Sequence, residues 1–375
     1  MTGGTQGRMR AAEAFLAHAG WKGASLAPLP GDASTRRYLR VRDGDRFAML
    51  MDQPQSAERP AAPPDATPEQ RRALGYNAIA RLAGADCGRY GAVAGHLRGR
   101  GLNAPEIFAA DFAAGFVLHE DYGDDLFADV LGKDGDAQAL YGAAIEALAH
   151  LHREAAPERL PDEKPLLAYD ELALLAETDL LLEWYMPAVL KRRPHEDELA
   201  EHRALWRAVL APVLAPPCVF VHRDYHAQNL FWLPERGGLA RVGMIDFQDA
   251  VAGSPAYDLV SLIEDARRDV EPALARAMMA RYAALRRADD ARFDESALRM
   301  AAAILAAQRN VKILGIFARL FVRDGKPRYP AYMPRVWRYL EGDLAHPALA
   351  PLKAWYERVI PRGLRTALPI QGDGT

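Results

Sequence analysis

The sequence predicts an α+β protein of two lobes, a small amino-terminal lobe rich in strands and a larger, mostly helical carboxy-terminal lobe. Within residues 36–52, two apolar runs flank the turn RDGD, which is the pattern of a β-hairpin. From residue 137 onward, apolar residues recur every three or four positions, which indicates helices. We place the boundary near residue 122, so that the lobes are residues 1–122 and 123–375.

The amino-terminal lobe combines the hairpin with helical sequence and an irregular insert. A short amphipathic helix is predicted over residues 9–19. Residues 53–70 are dense in Pro and Ala, which predicts an exposed insert without regular structure. Helical sequence over about 69–99 and a strand at 115–120 complete the lobe.

The carboxy-terminal lobe is predicted to be helical except for two short strands. Helical periodicity covers residues 137–153, 170–191, 196–211, 255–286, 295–322 and 333–341. The strand-like runs CVFVH at 218–222 and ARVGMIDF at 240–247 interrupt these helices. We expect the two runs to pair as one hairpin, which would bring the polar residues at their ends together.

Composition excludes several classes of function. Half of the 375 residues are hydrophobic and 26% are charged, as in an ordinary globular protein, and a net charge of −3 offers no basic surface for nucleic acid. No segment approaches the roughly 18 uninterrupted apolar residues of a membrane span, and the amino terminus lacks the apolar core of a signal peptide. Two cysteines are too few for a disulfide framework, which favours a cytoplasmic location.

The polar segment HRDYHAQN at 222–229 directly follows the strand-like run and needs a specific explanation. A zinc site is one interpretation, because His222 and His226 stand four positions apart, as in H-E-x-x-H. However, the Glu of that motif is missing, a strand rather than a helix precedes the segment, and no third ligand is evident in the sequence. The pattern therefore disfavours zinc.

Phosphoryl transfer explains more of the segment. The triplet H-R-D ends at Asp224, and Asn229 follows five positions later, as in the catalytic loop of kinases. The next strand-like run leads into Asp246. Asp224 would accept the proton of an attacking hydroxyl, while Asn229 and Asp246 would offer oxygen ligands to Mg²⁺. The alternative without chemistry is that these side chains only bond to backbone groups of their loops.

These residues also carry a family resemblance. HRDYHAQN, followed by IDFQDAVAGSPAYDLVSLIED, resembles the aminoglycoside phosphotransferase and choline kinase superfamily, which has a bilobal protein-kinase-like fold. Two further stretches, at 29–41 and 308–329, are most similar to the bacterial anomeric kinases of N-acetylmuramate and N-acetylglucosamine, which act in cell-wall recycling. The resemblance implies a kinase that uses ATP and Mg²⁺ and phosphorylates a small molecule.

The resemblance assigns roles to individual positions. Asp224 resembles the catalytic base, and Asn229 and Asp246 resemble the metal ligands. His222 and Asp258 resemble residues that brace the catalytic loop. Without the family, Asp258 is equally well explained as a solvated or capping residue near the start of a helix.

Two segments resemble the nucleotide-binding parts of the family. In GDAST, Gly31 and Ser34 occupy the place of the loop that covers the phosphates, although a turn in an ordinary hairpin is the simpler alternative. In HEDYG, the backbone groups of Glu120 and Tyr122 would meet the adenine edge of ATP at the hinge between lobes.

One position departs from the kinase pattern. Kinases carry a Lys on the strand after the covering loop, where it pairs with phosphate groups, but the strand here offers Met49 and Met51. Either another cation, Arg36 or Arg37, takes this role, or nucleotide affinity is weaker. The anomeric-kinase branch shares the Lys-free pattern, so the departure does not imply an inactive protein.

The acceptor is the least constrained part of the prediction. An N-acetyl amino sugar is favoured, with choline, an aminoglycoside or another small alcohol as alternatives, and a nucleotide-binding pseudokinase as a further one. For the lactyl carboxylate of N-acetylmuramate, we predict Arg309 and Arg319 as partners, on a helix that also carries Lys312. These cations would equally suit solvent or acidic residues elsewhere in the lobe.

Overall fold

The structure is a computed structural model that describes residues 3–30, 36–54, 61–215 and 217–368. The chain divides into two units. The first unit comprises Met1–Val130, Glu158–Pro165 and Asn229–Asp249, and the second comprises Leu131–Pro157, Leu166–Gln228 and Ala250–Thr375. A single lobe boundary near residue 122 stays a prediction, and the units differ from it because each is assembled from three separate stretches of chain.

An antiparallel five-stranded sheet dominates the first unit, in the order β1-β2-β3-β5-β4. Its strands are β1 (Ser25–Pro28), β2 (Arg37–Asp43), β3 (Arg46–Asp52), β4 (Ile107–Asp111) and β5 (Phe116–His119). The hairpin predicted over residues 36–52 is present as β2 and β3, and its turn contains Gly44 with a φ of 60°. The helix α1 (Gly3–His18) packs on one face of the sheet, where Leu16 and Leu50 share a buried apolar cluster.

Three further helices of the first unit fall in the stretch predicted to be helical. They are α2 (Pro68–Leu74), α3 (Tyr76–Ile79) and α4 (Gly88–Gly99). A capping box starts α2, because the side chains of Thr67 and Gln70 accept hydrogen bonds from each other's backbone N–H groups. Within the described part of the Pro-rich insert, residues 53–54 and 61–67 form neither helix nor strand.

Four short strands in the described chain form two antiparallel ribbons. They are β6 (Val219–Val221), β7 (Leu230–Trp232), β8 (Val242–Met244) and β9 (Val251–Gly253). In the first unit β7 pairs with β8, and in the second unit β6 pairs with β9. The expectation that the runs at 218–222 and 240–247 pair with each other is therefore wrong. The two partner strands are only three residues long, which is too short to show an alternation of apolar and polar residues.

Helices form most of the second unit, and the predicted helical stretches are confirmed, some of them broken into shorter helices. After α5 (Phe127–Gly132), which contains the boundary between the units, they are α6 (Ala137–Leu151), α7 (Glu171–Leu180), α8 (Met186–Leu190), α9 (Glu196–Leu210), α10 (Ala256–Ile263), α11 (Pro272–Asp289), α12 (Glu295–Val322), α13 (Met333–Asp343) and α14 (Ala350–Val359). A π-helical turn, Leu181–Tyr185, joins α7 to α8.

The 28-residue helix α12 is largely buried in the second unit. Its Gly315 lies so close to α7 that an added Cβ atom would stand 2.3 Å from the carbonyl carbon of Leu180, so this position requires glycine. Among the described residues, α12 is the one helix long and apolar enough to cross a membrane. However, 72% of its most apolar 18-residue window is buried inside the protein, which is typical of a core helix.

Candidate active site

In the second unit, Asp258 of α10 holds the segment that follows β6. Its buried carboxylate accepts hydrogen bonds from the backbone N–H groups of His222, at 2.6 Å, and Arg223, at 2.8 Å. Because the two oxygens bind consecutive N–H groups, they fix the direction in which the chain leaves the strand. Asp258 is therefore neither solvated nor a cap of its own helix, and its carboxylate is in a position to brace the loop.

The backbone of Arg223 has a left-handed conformation, with a φ of 82°. Such a conformation costs a residue other than glycine about 1–3 kcal/mol, and it persists only where the surroundings enforce it. Here Asp258 binds the N–H group of Arg223, Glu177 pairs with its guanidinium group, and the ring of Tyr169 lies 4.7 Å from that group. The H-R-D segment is thus held from both its backbone and its side chain.

Glu177 of α7 is a fully buried carboxylate that collects four donors in the second unit. It accepts hydrogen bonds from Arg223, from Tyr169 and, at 3.0 Å, from Gln308, and it lies 2.9 Å from the ammonium group of Lys312. Burial by itself would raise the pKa of Glu177, but Lys312 and Arg223 outweigh it and lower the pKa to about 2. Glu177 is therefore ionised at neutral pH and compensates two shielded cations.

Asp224, the candidate base, is half-buried, whereas its neighbours Tyr225 and His226 are buried. The hydroxyl of Tyr225 donates to the carbonyl oxygen of Ala144 at 2.8 Å, and the His222 ring packs edge-on against the Tyr225 ring, with centroids 5.6 Å apart. Burial lowers the pKa of His226 to about 3, so its imidazole is neutral at neutral pH. Within this loop, Asp224 is the charged side chain with access to solvent.

In the first unit, the ribbon of β7 and β8 places Asn229 and Asp246 on neighbouring chain segments. The N–H group of Ile245 donates to the carbonyl oxygen of Asn229 at 3.1 Å, which continues the ladder beyond the strands. Asp246 has a left-handed backbone with a φ of 60°. Its Oδ1 atom accepts a hydrogen bond from Gln248, at 3.0 Å, and lies 3.0 Å from the guanidinium group of Arg36.

The donor atoms of this region suit Mg²⁺. Asn229 and Asp246 offer side-chain oxygens, which are the hard ligands that Mg²⁺ prefers. Within the described ranges, no group of three or more His, Cys, Asp or Glu side chains is arranged to hold a metal ion. An ion bound by Asn229 and Asp246 would therefore take its remaining ligands from water and phosphate, as protein-bound Mg²⁺ commonly does.

A cavity of about 250 Å³ lies within the first unit beside the segment HEDYG. Tyr38, Met49, Tyr90, Phe231 and Ile245 give it apolar and aromatic walls, and the chain from His119 to Asp124 forms one edge. Apolar walls with backbone polar groups along one edge are the usual construction of a site for a flat heterocycle.

The backbone N–H and carbonyl groups of Glu120 already form hydrogen bonds within the protein. Its N–H group donates to the carbonyl oxygen of Glu106 at 2.8 Å, and its carbonyl oxygen accepts from His119 at 2.9 Å. An adenine contact at Glu120 therefore has to use the second lone pair of that carbonyl oxygen. The hydroxyl of Tyr122 donates to Asn103 at 2.7 Å, and this bond fixes the Tyr122 ring at the cavity wall.

Two predicted nucleotide contacts, Gly31 and Ser34, lie outside the described residues. The two arginines proposed as substitutes for the missing Lys have different partners. Arg37 pairs with Asp52 at 2.5 Å, whereas Arg36 pairs with Asp246. Of the two, Arg36 is thus the one beside a candidate metal ligand.

The two arginines predicted to bind the acceptor are not brought together. Arg309 is buried and donates to the carbonyl oxygen of Glu264 at 3.2 Å. Arg319 follows ten residues later on α12, which is about 15 Å along the helix axis. Arg309 contributes to lowering the pKa of His226 in the H-R-D loop, after the larger effects of burial and of Arg267.

A second group of acids, the half-buried Glu264 and the buried Asp343, lies beside Arg309. The side-chain N–H₂ group of Asn310 donates to Glu264 at 2.8 Å and to Asp343 at 2.9 Å. Removal from water raises the pKa of both carboxyl groups, and the charge of Glu264 raises that of Asp343 further. The pair therefore keeps a proton at pH values where an isolated carboxyl group is ionised.

Sequence reasoning missed both acid groups, although a local signal was available. The residues three and four positions from Glu177 on either side are all apolar: Ala173, Leu174, Leu180 and Leu181. The same is true of Asn310, between Ala306, Ala307, Ile313 and Leu314. A polar residue centred on the apolar stripe of a helix indicates a buried polar group with partners from other helices.

Comparison with known proteins relates the chain to kinases of small molecules. Residues 25–295 match the model of the phosphotransferase enzyme family. The chain is 46% identical over 357 residues to the N-acetylmuramate/N-acetylglucosamine kinase of Caulobacter vibrioides, which covers 94% of this chain and 97% of that protein. It is 35% identical to the protein of the same name from Pseudomonas aeruginosa, over 91% of this chain and 90% of that one.

Solved structures of low sequence identity share the fold. A microcompartment-associated aminopropanol kinase superposes with a TM-score of 0.58 at 16% identity, covering 94% of this chain and 99% of that one. A choline kinase from Streptococcus pneumoniae superposes with a TM-score of 0.56 at 13% identity, covering 90% and 99%. These neighbours confirm the predicted fold class. The resemblance noted at the H-R-D segment is thus confirmed, and the chain belongs to the phosphotransferase enzyme family.

Proposed function

We propose that this protein is an ATP- and Mg²⁺-dependent kinase that phosphorylates the anomeric hydroxyl of N-acetylmuramate and N-acetylglucosamine, as a step of cell-wall recycling. The names of relatives that match nearly the whole chain support the acceptor. The structural observation that carries the proposal is the pair of hydrogen bonds from the backbone of His222 and Arg223 to Asp258. These bonds hold the backbone that directly precedes Asp224. A general base must be positioned before its basicity is of use.

Asp224 is the proposed general base. As the anomeric oxygen attacks the γ-phosphorus, its proton passes to the Asp224 carboxylate and the bond to the ADP oxygen breaks. An anomeric hydroxyl is more acidic than an ordinary alcohol, so one carboxylate suffices.

On the nucleotide side, Asn229 and Asp246 are the proposed ligands of Mg²⁺, which neutralises phosphate charge when bound. The positive φ of Asp246 and the backbone bond between Ile245 and Asn229 define the backbone from which both side chains project at the end of the ribbon. The carbonyl oxygen of Glu120 and the N–H group of Tyr122 are the proposed adenine contacts, beside the aromatic cavity.

For the acceptor, Arg309 is the proposed partner of the lactyl carboxylate of N-acetylmuramate. One N–H of its guanidinium group donates to the backbone carbonyl oxygen of Glu264. This bond orients the planar guanidinium group and does not neutralise its charge. The proton kept by the Glu264–Asp343 pair would reduce the negative charge beside Arg309, which favours an anion there. The cytoplasm is the proposed location, since Cys87 and Cys218 are not joined in a disulfide, which suits a reducing compartment.

Phosphate transfer to the two sugars tests the proposal, with the phosphate position in the product assigned by NMR. We expect transfer to both sugars at the anomeric oxygen. Asp224→Asn should bind ATP normally but lose about 10²–10⁴-fold in turnover, because an amide keeps the shape and cannot take the proton. Asp197→Asn, an exposed change on α9, serves as the control and should leave turnover unchanged.

The alternatives give different results in the same assay. Transfer to choline or an aminoglycoside, but to neither sugar, would overturn the acceptor. ATP binding without transfer to any of these acceptors would indicate a pseudokinase. Near-normal turnover of Asp224→Asn would show that Asp224 is not the general base.

A further inference from the structure

The strand that carries the phosphate-binding Lys in kinases has no Lys here, and its one arginine, Arg46, pairs with Asp43 at the start of the strand. In β3, Met49 and Met51 are buried, and the strand ends at Asp52. Yet the triphosphate of ATP carries several negative charges, which kinases neutralise with a Lys in addition to the metal ion. A positive group from elsewhere in the first unit has to supply this charge if the protein binds ATP.

Arg36, directly before β2, lies where such a charge would be needed. Its guanidinium group is 3.0 Å from Asp246, and its side chain is only 13% exposed. Arg36 also lies near Tyr38 and Tyr90 of the aromatic cavity, where it opposes the rise that burial causes in the pKa of both phenols. Arg36 is therefore close both to two walls of the cavity proposed for adenine and to the carboxylate proposed for Mg²⁺.

Neighbouring arginines of the first unit are held by acids away from Asp246. Arg37 pairs with Asp52, which also takes Arg8 at 2.7 Å, and the Arg37 side chain is 47% exposed. Arg40 pairs with Asp121 at 2.6 Å, beside the hinge segment. The pairing of Arg36 with a candidate metal ligand therefore distinguishes it from these arginines.

We propose that Arg36 is the phosphate-binding cation that takes the place of the strand Lys, and that Asp246 holds it in position until Mg²⁺ takes over that carboxylate. The inference rests on the proposed use of ATP and Mg²⁺. A guanidinium group binds phosphate oxygens through two parallel N–H bonds, so it can move from a carboxylate to a phosphate without losing hydrogen bonds.

The exchange follows from charge balance. Without nucleotide, Asp246 and Arg36 neutralise each other. When the metal ion takes the Asp246 oxygens, the guanidinium group gives up this ion pair just as phosphate anions become available beside it. Arg36 thus competes with the metal ion in the absence of nucleotide and cooperates with it in the presence of nucleotide.

Calorimetry with ATP, ADP and adenosine tests the first part, in the presence of Mg²⁺ and without an acceptor. Arg36→Met should weaken ATP binding about 10- to 100-fold, the range for losing charge-assisted hydrogen bonds. Adenosine should bind equally well to the variant and to the unchanged protein. Arg36→Lys should recover part of the loss, and Arg37→Met is the matched control, with unchanged ATP affinity.

Titration with Mn²⁺, followed by electron paramagnetic resonance without nucleotide, tests the exchange. Arg36→Met should bind Mn²⁺ more tightly than the unchanged protein, because the competing cation is gone. Unchanged or weaker Mn²⁺ binding would overturn the competition for Asp246.

The outcomes separate this inference from the proposed function. If the unchanged protein does not bind ATP, the proposed function fails. If it binds ATP and Arg36→Met binds ATP equally well, only the role of Arg36 fails. Equal losses for ATP and adenosine would make Arg36 a support of the cavity and not a phosphate ligand, which overturns the inference as well.

Discussion

Helix α12 contacts two sets of acids, Glu177 alone and the pair of Glu264 and Asp343. Their charge is balanced in opposite ways. Gln308 and Lys312, four residues apart on one face, contact Glu177, while Asn310, about 200° around the helix from Gln308, contacts Glu264 and Asp343. Glu177 keeps its negative charge and is matched by cations. The Glu264–Asp343 pair keeps a proton instead.

The difference reflects what each group supports. Glu177 holds Arg223, whose strained backbone directly precedes Asp224, so a fixed charge there serves to hold the H-R-D segment. The carboxyl groups of Glu264 and Asp343 are bridged by the neutral side-chain amide of Asn310. Removing one partner of a buried ion pair strongly destabilises the protein. The stability contributed by a carboxyl pair that shares a proton depends instead on pH.

The largest expected effect is the loss of the charge on Glu177. Glu177→Gln should lower the free energy of unfolding by about 3–5 kcal/mol, because it removes the carboxylate that pairs with two cations shielded from water, Arg223 and Lys312. Urea denaturation followed by circular dichroism measures it. Glu171→Gln, which removes an exposed pair with Arg207, is the control and should cost less than about 1 kcal/mol. Similar small losses in both variants would contradict the comparison.

The two groups should also respond to pH with opposite sign. The pKa of Glu177 is lowered from 4.5 to about 2, so its stabilisation is present above pH 4.5 and is lost as the pH falls through 2. The pKa of Asp343 is raised above 3.8, so its contribution is present below that pH and is lost as the pH rises through its value in the folded protein.

Unfolding free energies across a pH series would separate the two groups. Asp343→Asn should remove the loss of stability towards higher pH, because an amide does not ionise, while the acid side of the profile stays as in the unchanged protein. Glu177→Gln should flatten the acid side instead. A profile of Asp343→Asn that parallels the unchanged protein at every pH would show that the pair does not keep its proton.

The smallest expected effect concerns Arg309, which lies beside the proton-sharing pair. Arg309→Ala should raise the KM for N-acetylmuramate about tenfold and that for N-acetylglucosamine much less, because only the first sugar carries a carboxylate. Steady-state kinetics with both sugars measures the ratio. Arg299→Ala, an exposed position on the same helix, should change neither KM. Equal increases for both sugars would remove Arg309 as the partner of the carboxylate.

The sequence predicted the parts of this protein that have a local signature. Helical periodicity revealed most helices of the second unit, and the RDGD turn revealed the β2–β3 hairpin. The spacing of Asp224, Asn229 and Asp246 predicted a phosphotransferase, and the family match confirms that class of protein. These patterns depend on residues close together in the chain, so one sequence is enough to read them.

Long-range pairing was beyond the sequence. The partners of β6 and β8 are strands of three residues, which show no period. Likewise, the link of Glu177 to Arg223 and Lys312 depends on how three separate helices and loops pack. Arg36 could be named as a candidate cation, but only the structure distinguishes its partner Asp246 from the partner of Arg37.

The discontinuity of the first unit has a consequence for how the protein is made. Phe231 and Ile245 line its aromatic cavity, but they leave the ribosome more than a hundred residues after Val130. At 5–20 residues per second, the nascent chain therefore carries an unfinished apolar wall for on the order of ten seconds. Chaperones that shield apolar surface would meet the first unit during this interval, and a chain cut short before Phe231 would emerge with the wall still uncovered.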